Sequence, residues 1–160
     1  MTARATAAAV AGVLAFFALA ANALGLPPFT TARKTSAGGS GQAEMFAIAT
    51  GCHATFDRFV IRTRDARAGY DVRYVRRVVA DPSGLPVRLR GTKRILVVSH
   101  NATAHQLPRT KTPLCPNLRQ VKVAGDFEGV VSFGLGLARR TGFRVFRLTG
   151  PARIVIDVKH

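Results

Sequence analysis

Two apolar strand patterns flank the pentapeptide Gly125-Asp126-Phe127-Glu128-Gly129, and this restricts the fold more than any other feature of the chain. Five residues containing glycine suit a longer hairpin connection between antiparallel strands. Beyond it, Val131, Phe133, Leu135 and Leu137 line one face of a strand, while Ser132, Gly134 and Gly136 line the other. Sheet packing or a bend is the ordinary use of a strand with one nearly bare face. The alternative is a surface that a second backbone or a flat ligand approaches closely.

Short patterns of the same kind fill the rest of the chain after Ala49. Phe59, Ile61 and Thr63 alternate with Arg58, Val60 and Arg62, and the run 70–79 continues with Tyr70, Val72 and Tyr74 on one face. Asp81-Pro82-Ser83-Gly84 is a turn, Val87 to Arg90 alternates again, and 94–99 reads as a central strand. The proline-bearing stretch 101–116 is the one long loop, and four more strands follow over 118–123, 130–137, 143–148 and 153–158. Residues 44–49 allow a turn of helix. Seven to eight short strands with Gly/Pro turns predict an all-β fold, a small two-sheet antiparallel sandwich.

The tract 124–137, AGDFEGVVSFGLGL, followed by GFRVFRL over 142–148 and PARIVIDV over 151–158, resembles the AMIN-like domain of exported actinobacterial proteins. Upstream, TGCHATFDRFV over 50–60, GYDVRY over 69–74 and DPSGLPV over 81–87 are similar to that family's earlier segments, in order. The resemblance covers about residues 49–158. It implies two small packed sheets and a non-catalytic role in association with peptidoglycan or another envelope component.

The first 23 residues read as a secretory signal peptide. Arg4 precedes an uncharged run over 5–21, and Ala21-Asn22-Ala23 is an A-x-A cleavage site. An uncleaved anchor is the rival reading, the one case in which the membrane itself would be a partner. Residues 24–45 are rich in Gly, Pro, Thr and Ser and read as a flexible basic linker, leaving 46–160 as the domain. In an exported protein Cys52 and Cys115, the only cysteines, are expected to form a disulfide. Closing about sixty residues, it would stabilise the fold by ~4 kcal/mol. A zinc site from Cys52, His53, His100, His105 and Cys115 competes poorly, because the close ligand pairs of a structural site are missing. No metal or other cofactor is expected.

Lys and Arg number 24 against 8 Asp and Glu; without Arg4 the remainder carries 23 minus 8, or +15. Much of this charge falls at alternate strand positions, and Arg58, Arg62, Arg88 and Arg90 are the candidate anion ligands. Guanidinium meets carboxylate or phosphate with two parallel bonds. Outside a bacterial membrane such anions are peptidoglycan stem-peptide carboxylates and the phosphates of wall polymers or lipid headgroups. Nucleic acid would suit the charge, but the export signal argues against it, and a chain without Trp has little to stack single-stranded bases on. Another envelope protein, docked through an exposed strand or on the Ser132-Gly134-Gly136 face, is the second candidate partner.

Asp126, Phe127 and Glu128 are expected to form a recognition turn. Asp126 and Glu128, two apart on an extended chain, would also face the same side, as an acid/base pair requires; pairing with neighbouring Arg is the simpler use. Ser99 with His100 or His105 could be drawn as nucleophile and base. No G-x-S-x-G elbow, H-E-x-x-H helix or phosphate-cradling loop accompanies them. The sequence therefore predicts an exported envelope-binding module without catalysis, a small envelope hydrolase being the weakest alternative.

Overall fold

The computed structural model describes residues 25–160. Among them are eleven strands and no helix: β1 (Lys34–Ser36), β2 (Ala43–Cys52), β3 (Phe56–Thr63), β4 (Tyr70–Val75), β5 (Lys93–His100), β6 (Ala102–Ala104), β7 (Thr110–Lys111), β8 (Leu118–Phe127), β9 (Val130–Leu137), β10 (Phe143–Thr149) and β11 (Ala152–Lys159). They form a six-stranded sheet, β1-β4-β5-β9-β8-β7, and a five-stranded sheet, β10-β11-β3-β2-β6. All neighbours run antiparallel except β2 and β6, which pair in parallel. The two sheets pack as a sandwich, as the alternation predicts.

Period-two patterning places the core. Phe59 and Ile61 of β3, Ile154 and Ile156 of β11, Ile95 and Val97 of β5, and Val131, Phe133, Leu135 and Leu137 of β9 are all buried in one apolar cluster. Phe59 meets Phe133 edge-on across the sandwich, with ring centroids 5.5 Å apart. Tyr74 of β4 makes a similar contact with Phe143 of β10 at 5.7 Å.

Three sequence expectations need correction. The stretch allowed as a helical turn is part of the ten-residue β2, whose register slips between Met45 and Ala47. That bulge leaves Phe46 and Ala47 outside the core between buried Met45 and Ile48, so the alternation is broken exactly where it would be read. Val87 to Arg90 makes no strand; Pro86 forms only an isolated bridge with Val79. The long loop 101–116 contains the short edge strands β6 and β7.

The segment read as a linker also differs from a coreless tether. Thr30 exchanges backbone hydrogen bonds with Phe143, at 3.1 and 2.9 Å, and β1 adds an edge strand to β4. Arg33 donates through Nε to Asp71 Oδ1 at 2.9 Å, and Arg73 reaches the same carboxylate. Burial works to raise the Asp71 pKa, but the hydrogen bonds and charges of Arg33 and Arg73 outweigh it and hold the group below its ordinary value.

Long-range ties close the sandwich. Cys52, at the end of β2, is bonded to Cys115, just ahead of β8, with Cα atoms 5.3 Å apart. Beside them the buried Asp57 carboxylate accepts the Asn117 and Leu118 N–H groups, both at 2.7 Å. On the outer side of the smaller sheet, Asp157 is fully buried beneath Arg58 and Arg144, whose Nε atoms lie 2.6 and 2.8 Å from its two oxygens. Both guanidinium groups stack on Phe56 and Phe146, and Arg144 also on Phe29.

Two outcomes follow for stability. Asp157→Asn should cost about 3 kcal/mol in urea unfolding, because two partly buried cations lose their counter-charge. Cys52→Ser with Cys115→Ser should cost ~4 kcal/mol in the same measurement, from the freed loop closure of 63 residues.

Candidate functional site: a basic strip on the larger sheet

The bare face of β9 is covered by the chain itself. Segment 76–91 crosses the outer side of the six-stranded sheet, where buried Val78 and Leu89 form a second small apolar cluster with Ala124 of β8. A Cβ on Gly134 would lie 2.8 Å from Leu89 Cδ1, and one on Gly136 would strike the Arg90 carbonyl. The glycines therefore exist to admit this flap. The surface suggested for a protein partner, Ser132 with Gly134 and Gly136, is buried under it.

The same flap carries Arg76, Arg88 and Arg90 to the surface. Three shallow grooves run side by side there. The first, about 400 Å³, is lined by Arg76, Lys93, Arg94 and Arg140 together with Tyr74, Val75 and Thr92. The second, about 380 Å³, shares Thr92 and includes Arg90, Arg119 and Leu114. The third, about 290 Å³, shares Arg90 and includes Arg88, Lys122 and Gln120. No carboxylate lines any of them. Eight cations thus form one continuous strip, and none has an ion-pair partner among the described residues.

Several of these cations are held in place without being neutralised. Arg140 lies over the Tyr74 ring at 4.3 Å, and the Tyr74 hydroxyl donates to the Thr141 carbonyl at 2.7 Å. Arg119 donates to the Pro116 carbonyl at 3.1 Å. The Gln120 side chain accepts the Arg90 N–H at 3.1 Å and so fixes the flap's end to β8. Exposed, unpaired and spaced along one side, such groups can take several anionic groups of a polymer at once.

Of the anion ligands expected from sequence, Arg88 and Arg90 lie in this strip. Arg58 does not; its guanidinium is bound to Asp157, which raises its pKa chiefly through that hydrogen bond. Arg62 is exposed on the other sheet, opposite Arg153 in the strand register, and is not brought near Arg88 or Arg90. Arg94 and Lys122 stand beside the core residues Ile95 and Val121 on β5 and β8, and alternation makes them legible as outward positions. Arg76, Arg119 and Arg140 join the strip only through tertiary folding.

The expected recognition turn is tighter than its sequence implies. Phe127 pairs directly with Val130, leaving a two-residue turn at Glu128 and Gly129 with φ of 47° and 77°. Both residues left-handed is the type I′ geometry that matches strand twist. Gly125 is inside β8 at a bulge, bridged to Asp81 of the flap. Chain reversal at Glu128 removes the shared side expected for Asp126 and Glu128, and Asp126 Oδ2 accepts the Ala104 N–H at 3.3 Å. Phe127 remains 44% exposed. Asp126 lines a separate groove of about 600 Å³ with Asp81 and Arg109, at the opposite end of the larger sheet from Lys93 and Leu137.

The remaining chemical candidates are structural. Ser99 is fully buried, and its Oγ has no hydrogen-bond partner, so neither His100 nor His105 activates it. The two cysteine sulfurs lie within 4.8 Å of an Asp57 oxygen but are bonded to each other. His53 stacks on Phe56 with ring centroids 4.5 Å apart.

Substituting Gly136→Ala should lift the flap, since the new methyl meets a backbone carbonyl that cannot rotate away. A loss of about 1–3 kcal/mol is expected on thermal or urea unfolding, with faster amide exchange at Thr92, whose N–H bonds Leu137.

A family model described as an AMIN-like domain matches residues 43–160. No curated protein and no solved structure matches the chain.

Proposed function

Because the chain belongs to the AMIN-like domain family, we propose that it is an exported envelope-binding module whose basic strip holds anionic groups of the cell wall. The family is one of cell-wall-related binding or docking modules, generally without catalysis. The disulfide suits an oxidising, extracytoplasmic setting. A signal peptide over residues 1–23 supplies the route, and the 23 cations against 8 carboxylates beyond it supply the attraction.

One observation carries the reading. Four of the eight carboxylates, Glu44, Asp65, Asp71 and Asp157, pair with arginines, and Asp57 is buried against the Asn117 and Leu118 N–H groups. The other three, Asp81, Asp126 and Glu128, lie away from the strip. The strip therefore faces outward uncompensated, with guanidinium as its main chemistry. Peptidoglycan stem-peptide carboxylates and wall-polymer phosphates are both bidentate partners for such groups. Binding through charge on an open surface weakens as salt rises.

Co-sedimentation with purified sacculi tests this. Retention should fall when ionic strength rises from about 0.05 M to about 0.5 M. Arg88→Glu with Arg90→Glu should weaken it about tenfold, ~1.4 kcal/mol, while Arg62→Glu, on the other sheet, should leave it nearly unchanged. Equal retention of the strip variant and the native protein would remove this assignment.

A further inference from the structure

Leu114 is the most exposed large apolar side chain among the described residues, 95% accessible, and its surroundings are unlike those of the others. It stands between Pro113 and Cys115 in the loop joining β7 to β8. Cys115 is buried and bonded to Cys52, so the loop cannot fold inward to hide its tip. Pro113 restricts the backbone on the other side. The groove beneath Leu114 is lined by Arg90 and Arg119, with Thr92, Thr112 and Ala138, and by no carboxylate.

The strand register places this apolar tip at one pole of the molecule. Lys93 and Leu118 both pair with Leu137, so the start of β5, the start of β8 and the end of β9 lie at one end. Arg139 and Arg140 follow directly after β9. At the other end, Phe127 and His100 both pair with Val130, next to Asp126 and Glu128. Asp81, Asp126 and Glu128 thus sit far from Leu114, while Arg90, Lys93, Arg119, Arg139 and Arg140 lie at its own end. Such a charge dipole turns the Leu114 end toward any negative plane.

The chain's entry is at the same end. Thr30 bridges Phe143 at the start of β10, and Phe29 packs on Phe56 near the ends of β3 and β11. Phe143 pairs with Val158, and the Lys159 carbonyl accepts from the Asn117 side chain beside Cys115.

We infer that this end of the sandwich rests on an anionic lipid leaflet, with Leu114 inserted at the headgroup boundary and Arg90, Arg119, Arg139 and Arg140 on the lipid phosphates. A single apolar side chain supplies modest affinity, and surrounding cations add to it where the leaflet is negative. The inference goes beyond wall binding, because it assigns a second partner to the end of the strip that holds Leu114, Arg90, Arg119 and Arg140. A molecule seated this way leaves Arg88 and Lys122 of the strip along its flank, where wall polymers are within reach.

The absence of Trp from the chain allows a site-specific test on the full-length protein. Leu114→Trp would be mixed with vesicles of phosphatidylglycerol and phosphatidylcholine, with and without brominated acyl chains. Leu85→Trp, at an exposed position of the flap away from this pole, is the control. The Trp at position 114 should shift to the blue and be quenched by bromolipid, while the control stays at solvent-exposed wavelength. Partitioning should fall roughly fivefold for each of Arg90→Gln and Arg119→Gln. Because any insertion of the leader is common to both Trp variants, their difference reports this pole alone. A Trp at 114 that remains water-exposed on anionic vesicles overturns the inference, as does equal quenching at position 85. A blue shift with sacculi or inorganic phosphate that vesicles do not exceed, without bromolipid quenching, would likewise overturn it in favour of a wall or free-anion site. Loss of vesicle contact with sacculus retention intact would leave the wall-binding assignment standing by itself.

Discussion

Internal neutralisation of a scarce set of carboxylates governs both the stability and the surface of this protein. Asp157 illustrates the principle. It is fully buried on the outer side of the five-stranded sheet, yet two arginines and three phenylalanine rings enclose it. Asp71 ties β1 to the larger sheet through Arg33 and Arg73, and Asp57 caps the start of β8 beside the disulfide. Each of these carboxylates joins segments far apart in the chain. Acids held this way cannot neutralise cations elsewhere, so the eight cations of the strip are left without a counter-charge among the described residues.

The flap over the six-stranded sheet is the second organising element. It converts a strand with a bare face into a support for Leu89 and Val78, and it delivers three arginines to the rim of the sheet. Packing and function are joined here. The same close approach that requires Gly134 and Gly136 places Arg88 and Arg90 beside Lys122 and Arg119. The proposed wall-polymer and lipid contacts require no deep cavity, because such partners present many weakly binding groups rather than one tightly bound ligand.

Much of the fold was legible because period-two alternation is a local property. β3, β5, β9, β10 and β11 emerged close to their observed limits, and the residues of β9 separate into core and outer face as their pattern implies. β2 did not, because its bulge breaks the alternation at Phe46 and Ala47. The β8–β9 connection looked like five residues, since Gly125 and Gly129 bracket it, but only Glu128 and Gly129 leave the ladder. The N-terminal segment looked unstructured by composition, yet its glycines allow close backbone contact: a Cβ on Gly38 would lie 2.6 Å from the Gly69 nitrogen.

The candidate site was legible only in part. Excess positive charge, guanidinium chemistry, the pairing of Cys52 with Cys115 and the two-sheet architecture all follow from residue types and their spacing. Which arginines face a ligand does not. Arg58 and Arg88 look alike on paper, each alternating with apolar neighbours, but Asp157 lies 99 residues from Arg58 and occupies it completely. Arg76 and Arg140 are far apart in the chain, and folding brings them to one groove. Local patterning decided which residues point inward; long-range contact decided which charges were left over, because ion pairing depends on distances of a few ångströms that no local spacing encodes.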